Sequence, residues 1–224
     1  MTEQTITRGN TVSGAVYSED ERYRYLLWRK WDDRPAATFL MLNPSTATEA
    51  VLDPTVMRCR MHARAWGYGG LVVANLFAYR ATDPRELLTL DDPVGPANDA
   101  TISHVIAEAP LLVCAWGAHG DLNGRARQVL DLLRDTPLYV LGLTKGGQPR
   151  HPLYMRADLE PRLWDPRTAE FAYPSLGARA DAAIRRIEAA GGTITHPAGH
   201  IPTREEVEGL EWFASLGVEK GAQS

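Results

Sequence analysis

The chain has 224 residues, of which 44 % are hydrophobic and 23 % charged, as in an ordinary soluble globular protein. Its length fits one domain with an extension, and its net charge of −4 argues against indiscriminate nucleic-acid binding over the whole surface. No apolar run approaches the ~18 residues of a membrane span, and the polar N-terminus does not resemble a signal peptide. Cys59 and Cys114 lie in a helix pattern and a strand pattern, so we expect small buried side chains in a cytoplasmic protein.

The N-terminal part of the chain predicts an antiparallel pair of strands. Residues 1–15 are polar, and we expect them to be flexible. Alternation that begins at Arg22 and runs into Trp28 predicts a strand over 22–31. The turn-forming residues 32–35 then predict a hairpin with a second strand over 36–42.

Strand and helix patterns alternate through the middle of the chain. Asp53 followed by Pro54 is typical of a helix start, and Asp83 followed by Pro84 indicates another, shorter helix. The alternation predicts a three-layer α/β/α domain, with a mainly parallel four-stranded sheet and strand 22–31 added antiparallel. Its parallel strands are 36–42, 70–77, 110–116 and 137–142, and its longer helices are 54–66, 97–108 and 122–134.

The C-terminal part predicts a long loop over 144–175 and then helices. One helix is expected over 178–190, and Thr203 with Glu206 forms a capping box for a last one. We therefore divide the chain into a flexible N-terminus (1–15), an α/β core domain (16–158) and a C-terminal helical extension (159–224). His196 and His200 are separated by Pro and Gly, which exclude the helix that would align them on a metal, so no metal site is predicted.

Polar residues follow the four predicted parallel strands. Ligands of open α/β sheets bind outside the carboxyl ends of the strands, so these residues are candidates for a shared site. A local basic face on an acidic protein suits a phosphate-bearing ligand or a short stretch of nucleic-acid backbone, although solvated surface arginines look the same in a sequence. The candidates are Asn43, Asn75, Phe77, Arg80, His119, Lys145, Arg150, His151 and Leu153.

Four of these candidates have both a functional and a structural interpretation. Asn43 before a proline faces the crevice and holds water or a base edge, or it caps its own turn. Asn75 ends a buried strand, so its amide must bind either neighbouring loops or a ligand. His151, fixed by the following proline, stabilises a developing oxyanion or packs under its loop. Phe77 stacks on a planar ligand or belongs to the core.

The sequence closely resembles a bacterial family known as the domain of unknown function numbered 1643. The resemblance covers roughly residues 16–158 and implies no activity. It rests on the segments LNPSTA (42–47), WGYG (66–69), NLFAYRATDP (75–84), AWGAHG (115–120) and LGLTK-x-G-x-PRHPLY (141–154).

The order of the Asn-Pro, Asn-Leu, Leu-Gly and His-Pro segments more remotely resembles the uracil-DNA glycosylase superfamily. By position, this resemblance implies that Asn43 places the attacking water, Asn75 reads the base, His151 faces its oxygen and Leu153 wedges the duplex. The sequence departs from the superfamily motifs in three places. Met41 and Ser45 replace the glycines of the Gly-x-Asn-Pro-Gly turn, and Leu153 takes the serine position of the His-Pro-Ser loop.

We therefore expect a nucleobase- or nucleic-acid-binding protein that hydrolyses the N-glycosidic bond of a modified or damaged base. Asn43 and His151 are the expected catalytic residues, and the other candidates bind substrate. The expected partner is a nucleic acid or nucleotide, with no cofactor and no membrane. A hydrolase or transferase of free nucleotides and a non-catalytic nucleic-acid-binding module are the two alternatives.

Overall fold

The computed structural model describes residues 1–45, 53–168, 170–171 and 184. Apart from Ile184, which is helical, the helices expected over 178–190 and after Thr203 lie outside these residues, as does the His196 and His200 pair. The described strands are β1 (Thr2–Arg8), β2 (Thr11–Tyr17), β3 (Arg24–Lys30), β4 (Ala36–Met41), β5 (Gly70–Asn75), β6 (Leu112–Cys114), β7 (Tyr139–Val140), β8 (Arg162–Asp165) and β9 (Glu170–Phe171). The described helices are α1 (Pro54–Ala65), α2 (Asn98–Ala107) and α3 (Arg125–Leu132), with 3₁₀ segments at Pro84–Leu88, Ala118–Gly124 and Pro152–Tyr154.

The strands form one mixed sheet in the order β1-β2-β3-β5-β4-β6-β7-β8-β9. Strands β5, β4, β6 and β7 are parallel neighbours, while the strands on either side of them pair antiparallel. This confirms the predicted mixed α/β class. None of the helices in the described part of the chain is both long and apolar enough to cross a bilayer.

Alternate side chains of β4 lie in two separate apolar clusters, because successive side chains of a strand point to opposite faces of the sheet. Phe39 and Met41 of β4 lie in one apolar cluster with Val56 and Cys59 of α1. Leu40, between them in the sequence, lies in a second cluster on the opposite face, together with α2 and α3. Each central strand is therefore buried on both sides.

The N-terminal segment and the segment after residue 160 contain strands that were not predicted. Residues 2–8 and 11–17 form a hairpin, so the prediction of a flexible segment over 1–15 was wrong. The side chains of β1 are mostly exposed, and the strand is held by backbone hydrogen bonds to β2. Its sequence therefore lacks the alternating apolar residues from which a strand is usually predicted. Strands β8 and β9 extend the other side of the sheet, within a range where we expected a loop and a helical extension.

The predicted hairpin between the strands 22–31 and 36–42 was also wrong. Strand β5 lies between β3 and β4 and pairs with both. The turn at 31–35 closes around Gly69, whose carbonyl accepts hydrogen bonds from the Trp31 and Asp32 amides at 2.9 and 3.1 Å. A Cβ atom on Gly69 would lie 2.6 Å from the Arg34 carbonyl oxygen, so glycine is what lets β5 enter there.

His62 is a fully buried ionisable residue of α1. Its ring stacks on Trp66 with centroids 5.2 Å apart, and neither ring nitrogen has a hydrogen-bond partner in the described part of the chain. Burial lowers the pKa of His62, and the positive charge of Arg58 lowers it further. The folded protein therefore keeps this imidazole neutral at pH values where an unfolded histidine takes up a proton.

We expect His62 to make folding less stable as the pH falls below about 6.5, the ordinary pKa of histidine. In that range the unfolded chain binds more protons than the folded one, and the slope is at most about 1.4 kcal/mol per pH unit for one proton. His62→Leu should flatten the dependence of the free energy of unfolding on pH between 5 and 7, as measured by urea denaturation. Part of the slope should remain, because burial lowers the pKa of His151 too.

The control is His104→Leu, a change of the same kind at an exposed position of α2. This variant should keep the wild-type pH dependence. A His62→Leu variant with the full wild-type slope would contradict the assignment.

Candidate functional site

A cleft of about 640 Å³ lies at the carboxyl ends of the parallel strands. Each of these strands or the segment that follows it contributes polar side chains, and the start of α1 closes one side. The polar residues that line the cleft are Arg24, Asn43, Ser45, Asp53, Thr55, Asn75, Thr82, Trp116, His119, Thr144, Arg150, His151 and Tyr154.

Five of the nine candidate residues line this cleft: Asn43, Asn75, His119, Arg150 and His151. The other four lie elsewhere. Phe77 is 1 % exposed and belongs to the core, so of its two interpretations the structure favours a core residue over a residue that stacks on a ligand. The Arg80 guanidinium donates to the Glu21 carbonyl and lies over the ring of Tyr17. Lys145 is exposed on the turn after β7, and Leu153 is half-buried in the 3₁₀ turn after His151.

Asn43 has a fixed amide orientation. Its Nδ2 donates to the carbonyl of Ala81 at 2.7 Å and to that of Pro44 at 3.1 Å. Its Oδ1 accepts no hydrogen bond from any residue in the described ranges. The amide therefore fastens the turn after β4 to the loop after β5, and it keeps one acceptor for a water molecule or another donor. Both interpretations of Asn43 fit this geometry.

Asn75 is the last residue of β5 and is only 3 % exposed, yet its side chain lines the cleft. Within the described residues nothing forms a hydrogen bond to its side-chain amide. An amide that faces a cleft and that no neighbouring group binds is available to a ligand with a matching donor and acceptor. Of the two interpretations of Asn75, this geometry favours the one that involves a ligand.

His151 begins the 3₁₀ turn Pro152–Tyr154 and lies beside the start of the loop after β6. Its Nδ1 accepts a long hydrogen bond, 3.4 Å, from the Leu153 amide, which leaves Nε2 to carry the proton. Burial lowers the pKa of His151, although the charge of Asp53 acts in the opposite direction. The ring is therefore a neutral hydrogen-bond donor at pH 7.

Gly117 gives the loop after β6 its turn beside His151. Its φ of +78° is in the left-handed region that favours glycine. The Gly117 amide donates to the Pro149 carbonyl at 2.8 Å, which joins the two loops. Trp116, next to it, donates through Nε1 to Gln148 Oε1 at 2.7 Å. These contacts form a rigid wall of the cleft.

Asp53 and Ser45 are cleft residues that the sequence analysis missed. Asp53 caps α1 by accepting hydrogen bonds from the Thr55 and Val56 amides at 2.7 and 3.3 Å. Its other oxygen accepts a hydrogen bond from Ser45 Oγ at 2.7 Å. Burial raises the pKa of Asp53, but these hydrogen bonds outweigh burial and keep the pKa below 3.8. The Asp53-Pro54 pair was correctly interpreted as a helix start, and only the topology shows that this start faces the cleft.

Arg24 and Tyr154 were also missed. Arg24 is buried at the start of β3, hydrogen-bonds to the side chain of Tyr17 and interacts electrostatically with Asp53. Tyr154 lies at the rim and is 81 % exposed. The described part of the chain has no group of three or more metal-binding side chains. The cleft thus offers an ionised carboxylate, a neutral imidazole and two amides.

Comparison with known families gives one match over more than half of the chain. Residues 24–153 match the family described as protein of unknown function DUF1643. The chain belongs to this family. Neither the curated proteins nor the solved structures gave a match. The resemblance to DUF1643 predicted from the sequence is confirmed, and all five candidate residues that line the cleft fall within the matched range.

We expect Asp53→Ala to lower the free energy of unfolding by about 1–2 kcal/mol, because two backbone amides of α1 lose their acceptor. Asp53→Asn should cost much less, since asparagine caps helices about as well as aspartate. Urea denaturation at pH 7 measures both changes. Asp33→Ala serves as the control, because its carboxylate is fully exposed and pairs with Lys30 at the surface. If Asp53→Asn destabilised as much as Asp53→Ala, the charge and not the cap would be the stabilising feature.

Proposed function

We propose that this DUF1643 protein binds a nucleobase in the cleft and hydrolyses the N-glycosidic bond of a modified or damaged base. In this proposal the domain is a three-layer α/β/α structure of the uracil-DNA glycosylase type. The observation that carries the proposal is the side-chain amide of Asn75, which lines the cleft and has no hydrogen-bond partner among the described residues. A side-chain amide presents one donor and one acceptor side by side, which matches the lactam edge of a base.

The fixed amide of Asn43 supports a hydrolytic reaction. With Nδ2 bound to two carbonyls, its Oδ1 is the atom that remains to orient a water molecule. In the proposed reaction the water oxygen bonds to the anomeric carbon as the bond to the base nitrogen breaks. One water proton finally resides on the released base, and the hydroxyl remains on the sugar.

His151 supports the departure of the base. A base that leaves with the bonding electron pair carries negative charge that is delocalised onto its exocyclic carbonyl oxygen, and a preorganised neutral N–H stabilises such charge at little cost. The Nε2–H of His151 has this character, because Nδ1 is engaged by the Leu153 amide. Asp53, held ionised by its hydrogen bonds, would stabilise positive charge on the sugar.

A non-catalytic binding module is the second candidate. Ser45 stands where the glycosylase motif has glycine, and its hydroxyl is committed to Asp53 at 2.7 Å. Met41 replaces the other glycine and is buried in the core. A cleft with these replacements keeps the base-binding amide of Asn75 whether or not it retains a water site.

The deciding experiment is a strand-cleavage assay after alkali treatment. The substrates are single- and double-stranded oligonucleotides that contain uracil, hypoxanthine, xanthine or alkylated bases. Cleavage that depends on Asn43 would support the enzyme. Binding of the same oligonucleotides without cleavage would support the module. Hydrolysis of mononucleotides alone would point to a free-nucleotide enzyme.

We expect three site variants to separate the proposed roles. Asn43→Ala should abolish turnover but leave binding of an abasic product nearly intact, because a water-positioning group acts mainly in the transition state. His151→Ala should lower the rate by about 10²–10³ through loss of one oxyanion donor. Asn75→Ala should instead change which base is accepted. Single-turnover rates and melting temperatures measure these effects, and folded, fully active Asn43 and Asn75 variants would refute the roles.

We also expect binding to an oligonucleotide to weaken linearly in log salt concentration. Arg150, exposed at the cleft, should contact a phosphate, so Arg150→Ala should reduce the salt slope by about one unit. The control is Arg134→Ala, an exposed arginine that precedes β7 at the opposite edge of the sheet and should leave the slope unchanged. Binding that ignores salt would favour a small neutral ligand.

A further inference from the structure

The end of β5 is fixed by two side chains from the helix layer. The Nδ2 of Asn98, the first residue of α2, donates to the carbonyls of Asn75 and Leu76 at 3.0 and 2.9 Å. The Nε of Arg125, the first residue of α3, donates to the same Leu76 carbonyl at 2.7 Å. The regular pairing of β5 with β3 has ended by this point, its last pair being Leu27 and Val73. Side chains therefore replace a neighbouring strand here.

The other side of the same segment is bound to the end of β4. The Leu76 amide donates to the Met41 carbonyl at 2.8 Å, and the Phe77 amide donates to the Leu42 carbonyl at 2.9 Å. With Asn98 and Arg125 opposite, the two peptide groups that follow the Cα of Asn75 are held in place. The peptide group between Asn75 and Leu76 sets the direction of the Cα–Cβ bond of Asn75. The Cβ atom of Asn75, from which the side-chain amide extends, is therefore held in a fixed position.

The burial of the polar side chains of Asn98 and Arg125 costs free energy. Asn98 is fully buried, and its Oδ1 has no hydrogen-bond partner in the described part of the chain. The Arg125 side chain is 3 % exposed and pairs with Asp99, which is half exposed. Apolar residues of similar volume would often fill such sites at equal or lower cost. The opposite amide orientation of Asn98 would place Oδ1 against two carbonyl oxygens, so its donors are what this position uses.

We propose that Asn98 and Arg125 are positioning residues that hold the Asn75 side chain in its ligand-binding orientation. The inference rests on the proposed role of Asn75 as the base-binding residue. A preorganised amide loses less conformational entropy when a ligand binds, so affinity depends on these two residues without any contact between them and the ligand. They lie on the helix side of the sheet end, and neither lines the cleft.

The first test needs no ligand. Three-bond couplings from Asn75 Cγ to its backbone nitrogen and carbonyl carbon report the χ1 rotamer of Asn75 in solution. We expect one rotamer in the wild type and averaged couplings in Asn98→Ala. Gln128→Ala is the control, because Gln128 is an exposed residue of α3 that accepts a long hydrogen bond from Arg125 at 3.5 Å and forms none with β5 in the described part of the chain. Single-rotamer couplings in a folded Asn98→Ala protein would overturn the proposal.

Arg125→Lys is the second variant, for use if Asn98→Ala does not fold. It keeps the positive charge beside Asp99 but removes the Nε donor to Leu76. We expect the Asn75 couplings to shift towards averaging in this variant also. Couplings identical to the wild type would overturn the role of Arg125.

The second test uses a double-mutant cycle on the affinity for a uracil-containing single-stranded oligonucleotide. Asn98→Ala should weaken binding on the order of tenfold in the wild-type background and have no further effect in the Asn75→Ala background. Equal losses in both backgrounds would mean that Asn98 only stabilises the fold, and would overturn the proposal. If the wild type does not bind this probe, the proposed function fails, and the couplings still decide whether Asn98 positions Asn75.

Discussion

The site depends on one constraint, which is that backbone pairing between β4 and β5 continues past the ends of both strands. After Met41 and Asn75, the amides of Leu76 and Phe77 still donate to the β4 side, and the Ala81 amide donates to the Pro44 carbonyl at 3.0 Å. The Asn43 amide completes this seam through the Ala81 carbonyl. Two loops that would otherwise diverge therefore run together, and Asn43 and Asn75 line one cleft. Because all of these bonds except that of Asn43 join backbone groups, the arrangement depends little on the identity of the other loop side chains.

The sequence was sufficient for the mixed α/β class and for the selection of five residues that line the cleft. The apolar runs end at polar residues, and parallel strands bring such ends to one edge, so Asn43, Asn75 and His151 could be placed together from the pattern alone. The strand order could not be obtained in this way. The sequence of the turn between β3 and β4 is the same whether the two strands pair directly or are separated by β5. The position of β5 between them depends on contacts between residues that are far apart in the sequence. Strand β1 could not be predicted either, because its mostly exposed side chains show no alternation of apolar and polar residues.

Side-chain roles were harder to predict than positions. Phe77 lies only two residues after Asn75, yet it points into the core while Asn75 lines the cleft. The chain leaves regular strand geometry at this point, so alternation no longer indicates which side a residue faces. Asp53 shows the opposite difficulty, because its sequence context fully explains it as a helix cap. Nothing in that context shows that the same carboxylate accepts a hydrogen bond from Ser45 and interacts electrostatically with Arg24 and His151.

Three residues at or behind the site that were not selected from the sequence, Asp53, Asn98 and Arg125, share a topological cause. In a parallel sheet each crossover helix starts at the carboxyl edge of the strand before it, so the first residues of the helices gather around the site. Asp53 precedes α1, Asn98 opens α2 and Arg125 opens α3. Asp53 supplies charge to the cleft, whereas Asn98 and Arg125 bind the carbonyls behind Asn75. From local sequence alone, a polar residue at a helix start is interpreted as a cap, and a second role of the same side chain cannot be recognised. The N-cap residues of α2 and α3 are Ala97 and Gly124, which make no side-chain cap. The side chains of Asn98 and Arg125 instead donate to the carbonyls at the end of β5, and this contact is the role that accounts for them.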